Sequence, residues 1–417
     1  MIAHKESLAQ NGSAPPATPV PLLDMQRQFN ALREPLTAAV NRVCQSGRFI
    51  MGPDCDALEN ALAAYCGAKH AIACASGSDA LLLALMAFDV GPGDEVLLPS
   101  YSFFATASAV WRLGAKPVFV DIDPATYNID PLELGQKMTP RTKAIIPVHL
   151  FGQCADMEPI MRIALAKNAA VIEDACQAIG AKYDHQPAGS IGDIGCFSFY
   201  PTKNLGGFGD GGLMTAQKDE LGQKLKLLRA HGMEPRYYHQ LVGVNSRLDT
   251  LQAAVLNVKM PHLERWTEQR AKNAARYAEL FAAHNLDRVL TLPTALPKRR
   301  HVWNQYVIRV PDGKRDALRK HLADAKIGTE IYYPVPLHLQ ACFAPLGYGP
   351  GSLPKSEQAA AETLALPIFP ELTAAEQQTV VARIADFFGV RPAQKAVSFP
   401  SVKRPKFLGK ANERHPA

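Results

Sequence analysis

Lys203 stands in the run Gly195-Cys-Phe-Ser-Phe-Tyr-Pro-Thr-Lys-Asn-Leu-Gly-Gly-Phe-Gly-Asp-Gly-Gly212, between an apolar stretch and a glycine-rich loop. A primary amine in such a place loses water, drops its pKa and becomes a nucleophile toward an aldehyde. Ser198, five residues earlier, offers a hydroxyl suited to a phosphate. Asp174 closes the apolar part of Val171-Ile-Glu-Asp-Ala-Cys-Gln177. An amine, a phosphate-binding hydroxyl and a strand-end carboxylate are what pyridoxal 5'-phosphate requires of a protein. Asp174 would hold the pyridine nitrogen protonated, and Gln177 is within reach of the ring hydroxyl.

Taken singly, each residue has a plainer reading. A lysine before glycines is usually a solvated loop residue. An Asp after an apolar run is often a helix cap. Ser76-Gly77-Ser78-Asp79 joins a strand to a helix, where free N–H groups bind phosphate or simply cap the helix. Phe103 stacks on an aromatic cofactor or fills a core. The glycine-rich loop has neither the GxxxxGK[ST] spacing of a P-loop nor a G-x-G-x-x-G that opens a helix. Residues 211–215 after it read as a strand. The combination therefore says more than any part.

Alternating elements are expected to position these groups. Two amphipathic helices cover 22–65, the second opened by Gly52-Pro53-Asp54 and ended by Gly67. Strands are expected over 70–75, 95–99, 116–122, 143–148 and 171–174. Helices are expected over 78–88, 104–113 and 159–167. This is the pattern of an α/β doubly wound, mostly parallel sheet, whose ligands bind at the carboxyl ends of the strands. A long helical stretch over 247–283 is broken near Pro261. Beyond it, strands over 301–310 and 329–333 and helices over 315–325 and 374–388 indicate a smaller α+β domain. The expected division is a disordered start (1–20), a large domain (21–284), a small C-terminal domain (285–390) and a tail (391–417).

The chain has 417 residues, 47% hydrophobic and 20% charged, ordinary for a globular enzyme. Its net charge of +6 is concentrated at one end. From Arg391 on there are seven Lys or Arg and one Glu, and the rest of the chain is balanced. That tail reads as disordered and solvated. No basic patch with interleaved aromatics suggests nucleic acid. The eight cysteines form no C-x-x-C pair and have no accompanying His cluster, so no metal site or disulfide framework is expected. Thiols of this kind suit a reducing, cytoplasmic location. Neither a signal peptide nor a membrane span is expected.

The motifs resemble those of the DegT/DnrJ/EryC1/StrS sugar aminotransferases over most of the chain. They are Ser76-Gly-Ser-Asp-Ala-Leu81, Gly91-Pro-Gly-Asp-Glu-Val96, Pro99-Ser-Tyr-Ser-Phe103, Pro147-Val-His-Leu-Phe-Gly152, Glu173-Asp-Ala-Cys-Gln177, Phe197-Ser-Phe-Tyr-Pro-Thr-Lys-Asn204 and Gly243-Val-Asn-Ser-Arg-Leu-Asp249. The resemblance implies the fold-type I architecture of pyridoxal-phosphate aminotransferases. It implies that Lys203 bonds to the cofactor, Asp174 pairs with its pyridinium, Gln177 meets its ring oxygen and Phe103 stacks on it. Gly77, Ser78 and Ser198 would hold the phosphate. Asn245 would reach the phosphate in the neighbouring subunit of a homodimer with composite sites. Arg247 and Tyr332 would meet substrate.

Cys176 replaces a frequent Ala, Tyr200 a frequent His, and Asp210 a frequent Glu. Lys203 argues against the family's dehydratases, which carry His there. Residues 126–131, 152–156 and 242–252 are most similar to enzymes that aminate C3 of nucleotide-linked keto sugars. The implied donor is L-glutamate, and the product an amino sugar for a surface polysaccharide or secondary metabolite. Amination of a keto cyclitol or other non-nucleotide ketone is the alternative within enzymes. A non-catalytic cofactor-binding sensor is the alternative outside them.

Overall fold

The structure, a computed structural model, describes residues 19–390. Most of the expected disordered start and the whole basic tail lie outside the described residues. Val20 is described and is buried, its N–H donating to the Lys326 carbonyl at 3.0 Å.

Seven strands form the central sheet. They are β1 (His70–Cys74), β2 (Glu95–Pro99), β3 (Lys116–Val120), β4 (Thr142–Ile145), β5 (Ala170–Asp174), β6 (Ile194–Ser198) and β7 (Gly212–Ala216). Their order is β1-β7-β6-β5-β4-β2-β3. All pairings are parallel except those of β7, which runs against both β1 and β6. The helices before and within the sheet are α1 (Met25–Ser46), α2 (Pro53–Cys66), α3 (Gly77–Ala87), α4 (Ala105–Arg112), α5 (Pro131–Lys137), α6 (Met157–Lys167) and α7 (Asp219–Leu228).

The strands are apolar on both faces because helices cover both. Val96 and Leu98 of β2 enter one core with Leu81 and Leu85 of α3, Val110 of α4 and Leu225 of α7. Leu97, between them, enters the opposite core with Leu58 and Leu62 of α2 and Ile160 of α6. This two-residue alternation is the strand pleat.

The break expected near Pro261 separates α8 (Thr250–Lys259) from α9 (Leu263–Ala283), with a turn of 3-10 helix, Met260–His262, between them. A third core follows. It joins Tyr277 and Phe281 of α9 to β8 (Tyr306–Arg309), α10 (Arg315–Asp324), β9 (Thr363–Leu366) and α12 (Ala374–Phe388); α11 (Pro354–Glu362) precedes β9.

Two strand expectations need correction here. Over 329–333 there is only a single bridge, Glu330 to Ala365. Beyond it the buried Tyr101 hydroxyl takes the backbone, donating to the Tyr332 carbonyl and accepting the Tyr333 N–H at 3.0 Å. The strand expected over 301–310 shortens to β8, because the Val302 and Asn304 N–H groups donate to Gly152 and Phe151 instead.

The first turn of α3 lies hard against the ends of β6 and β5. A Cβ on Gly77 would stand 2.7 Å from the Cβ of Ser198 and 2.9 Å from Cys176 Sγ. Contacts that short force helix or strand to move. Gly77→Ala is therefore expected to destabilise by about 1–3 kcal/mol, read as a lower urea midpoint with an unchanged slope.

Candidate active site

A cavity of about 600 Å³ opens where β1, β5 and β6 end, and Lys203, Asp174, Gln177, Gly77, Ser78, Ser198, Phe103 and Tyr332 all line it. The sequence scatters these groups over more than 250 positions; the parallel sheet brings them to one edge.

Lys203 follows β6 in a tight turn, its N–H donating to the Tyr200 carbonyl at 2.9 Å. Burial pushes its amine below the usual lysine range, and the Asp174 charge opposes that shift. A lowered pKa raises the fraction of free amine near neutrality, the form that attacks a carbonyl or takes a proton. The Cys176 thiol beside it is held well above its ordinary range by burial, so it is neutral.

Asp174 is the last residue of β5 and is almost fully buried. One carboxylate oxygen accepts from Thr106 Oγ1 at 2.8 Å, and the other accepts the Cys176 N–H at 3.3 Å. These two donors fix its direction. The strand end is anchored by its neighbour Glu173, whose carboxylate is wholly buried and, among the described residues, pairs with no Lys or Arg. It accepts the N–H groups of Gly189, Ile191 and Gly192 at 2.6–2.8 Å, and His149 Nε2 lies 2.8 Å away. The Ala155 N–H donates to His149 Nδ1 at 3.1 Å, which places the ring proton on Nε2, facing Glu173. The His149 N–H in turn donates to the Asp174 carbonyl at 3.0 Å.

Gln177 is held through both ends of its amide. Its oxygen accepts the Phe151 N–H at 2.7 Å, and its nitrogen donates to the Tyr333 hydroxyl at 3.1 Å. A second N–H of that amide remains for a ligand. Burial and the Asp174 charge raise the Tyr333 pKa, so its hydroxyl stays protonated. Phe103, 55% exposed, lies 6.0 Å from the Tyr333 ring and lines the cavity.

The far end of the cavity suits an anion. Ser76 caps α3, its Oγ accepting the Asp79 N–H at 3.1 Å. The N–H groups of Gly77 and Ser78, at the first positions of the helix, have no acceptor within it. Ser198 adds a hydroxyl, which accepts the Tyr200 N–H at 3.3 Å. The missing side chain at Gly77 leaves the room. These groups fit pyridoxal phosphate: a cradle for the phosphate, a carboxylate for the ring nitrogen, an amide for the ring oxygen and an amine for the aldehyde.

Asn245 and Arg247 do not line this cavity. Asn245 is exposed and bridges Ala230. Arg247 is half-buried, with a buried Nε that has no partner. Ser246 between them is buried; its hydroxyl donates to Asp79 at 2.7 Å and so ties this segment to α3. The sequence did not single out Thr106, Gln305, Tyr333 or Ser246. A Ser102-to-Thr106 spacing of one helical turn was the available sign for Thr106, and adjacency to Tyr332 the sign for Tyr333.

The chain matches the DegT/DnrJ/EryC1/StrS aminotransferase family over residues 30–385. It is 52% identical to a pleiotropic regulatory protein of Geobacillus stearothermophilus, over 88% of this chain and 98% of the relative. It is 44% identical to the UDP-N-acetyl-3-dehydro-alpha-D-glucosamine 3-aminotransferase of Acidithiobacillus ferrooxidans, over 88% of this chain and 96% of the relative. The structure of S. venezuelae DesV in complex with a ketimine intermediate superposes with a TM-score of 0.85 at 40% identity, covering 88% of this chain and 98% of that one. This chain belongs to the DegT/DnrJ/EryC1/StrS aminotransferase family.

Proposed function

We propose that the protein is a pyridoxal-phosphate-dependent aminotransferase that moves an amino group from L-glutamate to the C3 carbonyl of a nucleotide-linked keto sugar. The observation that carries this reading is the meeting of the Lys203 amine, the Asp174 carboxylate and the α3 anion cradle in one cavity. Family membership and the 3-aminotransferase among its relatives support the substrate class.

Gly77, Ser78 and Ser198 would hold the phosphate. Phe103 would pack against the ring, Gln177 would donate to the ring oxygen and Asp174 would keep the ring nitrogen protonated. When bound, the cofactor supplies an electrophilic carbon and a cationic ring that takes up electrons. Lys203 would hold the cofactor at its aldehyde carbon, and its free amine would be the base that takes up and returns the proton of the donor α-carbon. Its lowered pKa gives an acid limb: as pH falls through that value the amine is protonated and the base is lost.

Among the residues that line the cavity, Lys203 is the one cation. A dicarboxylate donor and a nucleotide diphosphate both need further positive groups. Arg247 is half-buried and makes no ion pair among the described residues, and a homodimer in which Asn245 and Arg247 complete the neighbour's site would use it. The exposed Phe49, Ile50 and Met51 lie beside this segment, Phe49 accepting the Thr250 N–H at 2.9 Å, and provide apolar surface for such a contact.

A sensor is the second reading, favoured by the name of the Geobacillus relative. Intact Lys203, Asp174 and Gln177 favour turnover. The test is a panel of nucleotide-linked amino sugars run in reverse with 2-oxoglutarate. Glutamate should form with 3-amino sugars; binding without glutamate across the panel contradicts the reading. Asp174→Asn should fold yet lose orders of magnitude in rate, because a neutral amide cannot hold the ring nitrogen protonated. Near-normal turnover would reduce Asp174 to a structural role. In mixed dimers of Lys203→Ala and Asn245→Ala chains, one of the two sites is intact, so activity should recover to roughly half of wild type per heterodimer. Recovery no better than the Asn245→Ala parent, with exchange demonstrated, removes the composite site.

A further inference from the structure

Lys259 ends α8 with its side chain fully buried, 1% exposed, and among the described residues it makes no ion pair. Its Nζ donates to the Gly206 carbonyl at 2.7 Å and lies 5.1 Å from the centre of the Phe208 ring. Burial brings its pKa down to about 8, so at neutral pH it is still an ammonium and the bond to Gly206 is charge-assisted. A buried, uncompensated cation is expensive to the fold, and the cavity does not use it.

Gln252 stands seven residues earlier, two turns along the same helix face. Its side-chain oxygen accepts the Phe208 N–H at 2.7 Å. The two side chains thus grip the peptides on either side of Gly207. The loop they grip begins at Lys203. Little slack exists elsewhere: a Cβ on Gly206 would meet the Pro201 carbonyl oxygen at 2.2 Å, one on Gly207 would meet Gln252 at 2.7 Å, and Gly207 N–H donates to Phe199 at 2.8 Å. Asn204 is tied separately, its amide nitrogen donating to the Val302 carbonyl at 2.9 Å.

We propose that Lys259, with Gln252, is a positioning residue: it clamps the Gly206–Phe208 loop and thereby holds the Lys203 amine at the cavity wall in the attitude needed to meet the cofactor. The inference rests on Lys203 being the reacting amine. Lys259 touches neither cofactor nor substrate.

The test uses the full chain incubated with pyridoxal phosphate, reduced with borohydride at timed intervals, and mapped by peptide mass spectrometry. Lys259→Met keeps an unbranched side chain, one atom shorter, and removes the ammonium. Compared at a temperature where circular dichroism shows both proteins folded, the variant should accumulate label on Lys203 at least about tenfold more slowly, the order expected for a small misplacement of a reacting group. Acetic anhydride labelling of its surface lysines should match wild type. Wild-type labelling of Lys203 in folded Lys259→Met overturns the inference. Gln252→Ala, a half-buried change, is the second variant and keeps the question open to an answer if Lys259→Met does not fold. It should slow Lys203 labelling at least about threefold, and an unchanged rate overturns the clamp. If wild type labels a lysine other than Lys203, the functional reading fails instead.

Discussion

On the proposed reading, the Lys203 amine must be dry enough to shed its proton and open enough to meet a carbonyl carbon. Most of the site serves that constraint. The turn after β6 places the amine at the cavity wall, where burial lowers its pKa. The Asp174 charge pulls the other way, and binding of a protonated ring nitrogen to Asp174 would offset that pull. Cofactor binding and amine reactivity would thereby be coupled through one carboxylate.

The supports around Asp174 are mostly neutral donors. Thr106 and the Cys176 N–H orient its carboxylate, and Glu173 next to it is held by three backbone N–H groups and the His149 ring. A cation close to Asp174 would compete with the ring nitrogen for it. Neutral donors fix the carboxylate without that competition. The phosphate end would follow the same logic: a helix N-terminus and hydroxyls would bind the anion, leaving Lys203 as the one amine that lines the cavity.

Much of this was legible in the sequence because parallel strands covered on both faces leave continuous apolar runs, and the site residues cluster at their ends. Asp174, Ser198 and Ser76-Gly77-Ser78 were visible for that reason. β2 at 95–99 and α12 at 374–388 matched the expected bounds, the latter with a Thr373–Glu376 capping box. What was hidden depended on contacts between distant segments. Tyr101 diverts residues 332–333 from a strand across more than 230 positions, and Lys259 reaches Gly206 from a helix that looks only amphipathic. Asn245 and Arg247 carried a role through resemblance alone, and they are not among the residues that line the cavity of the single chain.

The most direct measurement of Lys203 as the base that serves a real transamination is a single turnover with L-glutamate and no sugar. The holoenzyme should release one 2-oxoglutarate per chain, slowed by deuterium at the glutamate α-carbon, and the Lys203→Ala chain should release none on that time scale. A protein that holds the cofactor yet yields no 2-oxoglutarate, or yields it equally without Lys203, would contradict the account.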